Sequence, residues 1–228
     1  MKKKLFKLIK GFTLIELIIT IAIFAAMTTY LLAKYGKFNQ SLLLTNLAYD
    51  VALTIRTAQS YGLNVKAVGP NNAVNPTFNY PYGAHFNKNS STKSCFVFFV
   101  DTDENSTYEQ SDGYCPGVTN PVERISSYSI KRGSIISELL VCVGEGGVGN
   151  VLCATPDTLD ISFKRPDPAA RIFANGVNTI GGSKLNYAEI TLLANDGISE
   201  KKIIVRTTGQ IAITNTGIES VTMDSLDE

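Results

Sequence analysis

Residues Phe12 to Leu32, FTLIELIITIAIFAAMTTYLL, form a run of 21 positions with a single charge, Glu16. At ~1.5 Å rise per residue such a helix spans ~31 Å, the thickness of a bilayer's hydrocarbon core. This run predicts a transmembrane segment, and it makes Glu16 the residue that needs explaining. An unpaired carboxylate there costs ~2.5 kcal/mol or more. Lys2, Lys3, Lys4, Lys7 and Lys10 precede the run without an intervening acid. By the excess-of-positive-charge rule they hold the N-terminus on the cytoplasmic side, with the rest of the chain outside. A secretory signal would instead have a shorter apolar region followed by a small-residue cleavage site. Here the abrupt boundary, Lys10-Gly11-Phe12, comes before the apolar run.

If the chain were cut between Gly11 and Phe12, the new α-amino group of Phe12 would be a cation four residues before Glu16. An ion pair within or between chains could then form, and its formation would couple burial of the carboxylate to assembly. Gly11-Phe12-Thr13-Leu14-Ile15-Glu16-Leu17 resembles the processing signal of type IV prepilins and type II secretion pseudopilins. The resemblance implies cleavage after Gly11 by a prepilin peptidase, methylation of the new N-terminal Phe12, and a role for Glu16 in drawing the subunit into a filament. Implied partners are other pilin or pseudopilin subunits, the peptidase, an inner-membrane assembly platform and membrane lipid. The implied location is a single-pass inner membrane protein with its head outside the cytoplasm, later part of a pilus or pseudopilus. A plain signal anchor tethering a non-polymerising domain is the competing expectation.

Apolar spacing resumes at Leu44, Leu47, Ala48, Val51, Ile55 and Ala58, which trace one helical face. The face fades at Tyr61-Gly62, so residues 33–62 read as an amphipathic continuation of the membrane helix, with Gly36 a candidate kink. The segment Asp50 to Gln59 resembles the corresponding stretch of H-type minor pseudopilins and T-type minor pilins. Looser resemblances in the head are Tyr82 to Phe86, the strand leading into Asp101-Thr102-Asp103, and Ile161 to Pro166.

The whole chain of 228 residues has room for one ordinary domain behind the helix. Residues 69–89, dense in Pro, Gly and Asn, read as an irregular connection. Short β-rich runs follow at Cys95 to Val100, Arg124 to Ile130, Leu139 to Val143, Leu159 to Phe163, Tyr187 to Leu193, Lys202 to Arg206 and Gln210 to Ile213. The expected class is α+β: a pilin-like long N-terminal helix packed on one or two antiparallel sheets, with the head over 63–218 and an acidic tail over 219–228.

Cys95, Cys115, Cys142 and Cys153 lack the C-x-x-C spacing of zinc or redox sites. They read either as two disulfides formed outside the cytoplasm or as four buried thiols. Of three connectivities, the local pairs Cys95 with Cys115 and Cys142 with Cys153 are favoured, each closing a Gly-containing loop. Asp101, Asp103 and Asn105 place oxygen ligands at alternate positions, with Glu109 and Asp112 downstream, as in a calcium loop. Ser106 and Asp112 depart from that pattern, and a solvated turn is the alternative. Calcium is the one cofactor the sequence suggests, and the resemblance keeps it in view, since some pseudopilins hold calcium.

His85 is the sole histidine, and no catalytic device can be assembled from spacing, so an enzyme is not expected. The glycine-rich stretch from Gly144 to Gly149 lacks the Lys-Ser/Thr pair and helix of a phosphate loop. Lys164, Arg165, Arg171, Lys201, Lys202 and Arg206 could gather into a DNA-binding patch, as in a DNA-binding or adhesive minor pilin. Beyond Gly11, however, 20 acidic side chains outnumber 16 basic ones.

Overall fold

A computed structural model describes residues 11–64, 79–89, 93–109, 123–144 and 151–214, apart from the side chains of Ala33, Lys34 and Lys37. Helix α1 runs from Leu14 to Leu63 without a break at Gly36. Thr13 starts it with a reciprocal spacing, Thr13-Leu14-Ile15-Glu16: the Glu16 amide donates to Thr13 Oγ1 at 3.3 Å, satisfying one of the unpaired first-turn N–H groups. The chain divides into two units inside α1, after Asn39.

The first unit holds the apolar half of the helix. Leu14–Leu32 has a mean hydropathy of 2.1 and buries none of its residues, leaving Phe24 76% exposed and Leu31 67% exposed. That surface is unfavourable in water and suited to lipid or to other helices.

The second unit, from Gln40, is a β-rich head built on the rest of α1. Leu44, Ala48, Val51, Ala52, Ile55 and Ala58 are buried in one core, as the periodicity predicts. Leu47 is only partly buried against it, and Ala52 joins the stripe. Three alanines on this face allow close approach of the sheets. The strands are β1 (Tyr82–Asn87), β2 (Cys95–Val100), β3 (Arg124–Ser129), β4 (Ile135–Val143), β5 (Leu152–Ala154), β6 (Thr158–Lys164), β7 (Asp167–Ala174), β8 (Thr179–Ile180), β9 (Ser183–Lys184), β10 (Tyr187–Leu193), β11 (Glu200–Arg206) and β12 (Ile211–Thr214). They form two five-stranded sheets, ordered β3-β2-β1-β6-β7 and β12-β11-β10-β4-β5, and the small pair β8-β9. All pairings are antiparallel. The architecture is α+β and pilin-like, with two sheets and the helix sharing a single core.

Two expectations change. The connection placed over 69–89 contains the central strand of the first sheet: Tyr82–Asn87 is buried at all six positions. Tyr82, Ala84 and Phe86 face the main core, while Gly83 gives up its side chain to the Phe99 ring, which an added Cβ would meet at 2.6 Å. The proline and asparagine content before it masks the strand's apolar alternation. The helix also passes Tyr61-Gly62 and ends at Leu63. Gly62 sits where a Cβ would lie 2.3 Å from the Phe163 carbonyl oxygen of β6, and its own carbonyl accepts the Arg165 amide at 3.0 Å. Glycine is required there for helix–sheet contact rather than as a stop.

β1 and β2 are buried on both faces, unusual for an antiparallel sheet with one solvated side. On the face away from the main core, Cys95, Val97, Phe99 and Tyr108 form a second small cluster.

Candidate functional site

Gly11, Phe12 and Thr13 lead directly into α1, and Glu16 lies in its first turn. A carboxylate at this position is favoured by the partial positive charge of the helix N-terminus. Phe12 is 81% exposed, and a Cβ added to Gly11 would meet nothing within 4 Å. The junction is therefore open, and the glycine is not explained by packing. Thr13 is the member of the motif that its spacing signals and sequence reading passed over. The five leader lysines lie outside the described residues.

Residues 7–32 match the family model of the prokaryotic N-terminal methylation motif. This match supports a type IV prepilin-like protein, a pilin- or pseudopilin-like substrate of prepilin peptidase. It points to a structural protein rather than an enzyme, implying contact with other pilin subunits and with that peptidase. Gly11, Phe12 and Glu16 all fall within the matched stretch. Together with the apolar helix the motif is consistent with membrane anchoring. No curated protein and no solved structure matches the chain.

In the head, the segment after β2 folds over the second face of the first sheet and is held there by carboxylates. Asp101 is fully buried and accepts the Asn105 amide at 3.1 Å and the Ser106 amide at 2.8 Å. Glu104 and Ser106 adopt positive φ of 61° and 68° to make this turn. Glu123 accepts from the amide and hydroxyl of Thr102 at 2.8 and 3.1 Å. Glu104 is ion-paired with Lys164. Burial pushes the Asp101 carboxyl up to about 7, against the pull of the Ser106 amide and helped by Asp103 and Glu123. Burial likewise raises Glu123.

Two of the three expected oxygen ligands, Asp101 and Asp103, come together with Glu123. Asp101, Asp103 and Glu123 bring one ligand oxygen each within 4.8 Å of one another. Asn105 Oδ1 accepts from the amide and hydroxyl of Thr107, both at 2.7 Å, and so helps form the turn. Glu123 lies 22 residues from Asp101 and no local spacing could have found it. Asp112 lies outside the described residues.

His85 is 3% exposed, with Nδ1 2.6 Å from Asp160 Oδ1. The same Asp160 oxygen accepts the Tyr108 amide at 3.1 Å, and the Tyr108 ring lies against the imidazole at 5.3 Å. Register explains the pair: His85 of β1 is directly opposite Asp160 of β6. The ring is held through Nδ1, and the pair anchors the far end of the 101–109 segment.

Cys142 and Cys153 form a disulfide across the β4–β5 ladder, their Cα atoms 4.2 Å apart. Cys95 is also disulfide-bonded, and Cys115 lies outside the described residues. The remainder of the glycine-rich stretch, residues 145–149, lies outside them too.

The six basic residues divide between the sheets. Lys164, Arg165 and Arg171 lie on β6, its turn and β7; Lys201, Lys202 and Arg206 lie on β11. Lys164 pairs with Glu104 and Lys202 with Glu189. The hydrogen bond that Lys202 donates to Glu189 raises its amine above the ordinary value. Arg165 donates to Asn79 Oδ1 at 3.3 Å, and the Arg206 guanidinium sits 5.8 Å from the Tyr187 ring centroid.

Proposed function

We propose that the chain is a structural subunit of a type IV pilus or a type II secretion pseudopilus. The prepilin peptidase cuts after Gly11 and the new terminus at Phe12 is methylated. The subunit waits as a single-pass inner membrane protein, its head outside the cytoplasm. It then enters the filament through α1, where Glu16 meets a cation supplied by a processed N-terminus. Its relatives are the minor subunits of the H and T types, which the Asp50 to Gln59 segment and the head motifs resemble.

The observation that carries this reading is the methylation motif over residues 7–32, which brackets Gly11-Phe12 and Glu16 at the start of an apolar helix. A carboxylate costing ~2.5 kcal/mol or more in lipid is retained when it has a use there. Engagement of Lys164, Lys202, Arg165 and Arg206 by nearby side chains favours this structural role over DNA binding, which needs several cations on one face.

The test is recovery of the chain in sheared filaments from cells that express the whole apparatus. Wild-type chain is expected in the filament fraction, with Gly11→Ala and Glu16→Leu each reduced at least tenfold. Processed chain that stays in the membrane and never enters filaments would favour the tethered, non-polymerising domain.

A further inference from the structure

β7 is an edge strand of the first sheet, and among the described residues its outer side is closed at two points. The Ala170 amide donates to the Thr207 carbonyl oxygen at 2.9 Å, and the Ala174 amide to that of Val177 at 2.7 Å. Backbone groups alternate sides along an antiparallel ladder, so the Ile172 N–H and C=O also point outward, away from β6. Neither has a partner among the described residues. At ~3.3 Å per residue, ~13 Å of strand edge lies bare between the two closed points.

Arg171, Ile172 and Phe173 of β7 line a groove of about 310 Å³, together with Asn178, Lys184 and Thr207. Arg171 and Lys184 are exposed, and neither has an ion-pair partner among the described residues. No acidic side chain is among the described residues that line the groove, although beyond Gly11 the chain carries more acids than bases. Two like charges held in one groove repel, and an anion between them removes the repulsion. An unpaired main-chain edge beside two cations selects for extended chain that carries carboxylates and rejects basic strands. A small oxyanion would use the cations and leave the edge bare.

We infer that the groove takes an acidic segment of a partner protein, added as an extended antiparallel strand on β7. The central residue of that segment exchanges both main-chain bonds with Ile172. Side chains alternate across a strand, so the residues flanking this centre stand on the face shared by Arg171 and Phe173. One of them brings its carboxylate to the guanidinium, whose planar fork suits two-point contact. The other packs an apolar side chain against the Phe173 ring. Read from its N-terminus, the antiparallel segment is then apolar, small, acidic. Lys184, on β9, adds a second positive charge to the same groove. Binding requires neither cleavage after Gly11 nor assembly.

The test titrates full-length chain in detergent micelles into a peptide of sequence Phe-Ala-Glu flanked by serines, capped at both ends and labelled with an uncharged dye, with fluorescence anisotropy as the readout. Saturable binding is expected. Arg171→Glu combined with Lys184→Glu should weaken it at least tenfold. Methylation of the central alanine nitrogen removes the donor to the Ile172 carbonyl and should weaken it at least tenfold without altering the protein. Undiminished binding of the N-methyl peptide overturns strand addition. Absence of saturable binding, or equal binding by the doubly substituted chain, overturns the site. Displacement by an equal concentration of inorganic phosphate or of duplex DNA would reduce the groove to a general anion patch and overturn the peptide ligand. A chain ended at Ile218 that binds at least tenfold more tightly would assign the groove to the chain's own acidic tail and overturn the partner.

Discussion

Asp160 Oδ1 lies 2.6 Å from His85 Nδ1 and accepts the Tyr108 amide at 3.1 Å, so one buried carboxylate joins two strands to the segment that covers them. Removing it leaves a buried imidazole and a buried amide without their acceptor. Asp160→Ala should cost about 3 kcal/mol, in the range for breaking one side of a buried pair. Urea unfolding of the detergent-solubilised chain, followed by near-UV circular dichroism, measures it. A loss below about 1 kcal/mol would mean that the pair does not hold the segment.

Asp101 gives the head a pH dependence of definite sign. Its folded-state carboxyl stands at about 7 because of burial, whereas an unfolded aspartate titrates at roughly 3.9. Between these values the folded state binds the proton more tightly. Its contribution to stability is complete below the lower value and is lost as pH rises through the higher one. Melting temperature should therefore fall from pH 5 to pH 8, and Asp101→Asn should flatten that slope while losing about 1 kcal/mol at low pH, where the amide replaces an acceptor oxygen. An unchanged slope in the variant would assign the dependence to another group.

Helix and core were legible in advance because both obey simple periods. Leu44 to Ala58 repeat on one helical face, and Cys95–Val100 is an unbroken apolar run that could only be a strand. β1 was not legible: Tyr82-Gly83-Ala84-His85-Phe86-Asn87 alternates, but His85 and Asn87 stand where an outer face should be solvated, and only the covering segment explains their burial. β7 was hidden by Pro168, which an edge strand tolerates. At the candidate site, Gly11, Phe12 and Glu16 are contiguous and easily read. The Asp101–Asp103–Glu123 cluster and the His85–Asp160 pair arise from strand register across 22 and 75 residues, which one sequence does not reveal.

Gly62 and Gly36 belong to the same helix but respond oppositely to alanine. At Gly62 the new Cβ would lie 2.3 Å from the Phe163 carbonyl oxygen, forcing helix and sheet apart, and Gly62→Ala should destabilise the head by about 2 kcal/mol. At Gly36 nothing lies within 4 Å, and Gly36→Ala should stabilise the helix by up to about 1 kcal/mol. Thermal melts followed at 222 nm distinguish the two. Equal effects would contradict the assigned packing.

The Cys142–Cys153 bridge closes a separation of 11 residues, and its loss should cost about 3 kcal/mol. The variant carrying Cys142→Ser and Cys153→Ser, compared with wild type in urea without reductant, isolates this bridge from the one at Cys95.

The central claim is that Glu16 and the terminus released at Phe12 act together, and intact-mass and N-terminal peptide spectrometry of the chain from peptidase-positive cells test it most directly. The account predicts a mature chain that starts at Phe12 with a methylated amino group, and a Gly11→Ala chain that retains Met1 to residue 11. A wild-type chain still carrying its first eleven residues in those cells would contradict it.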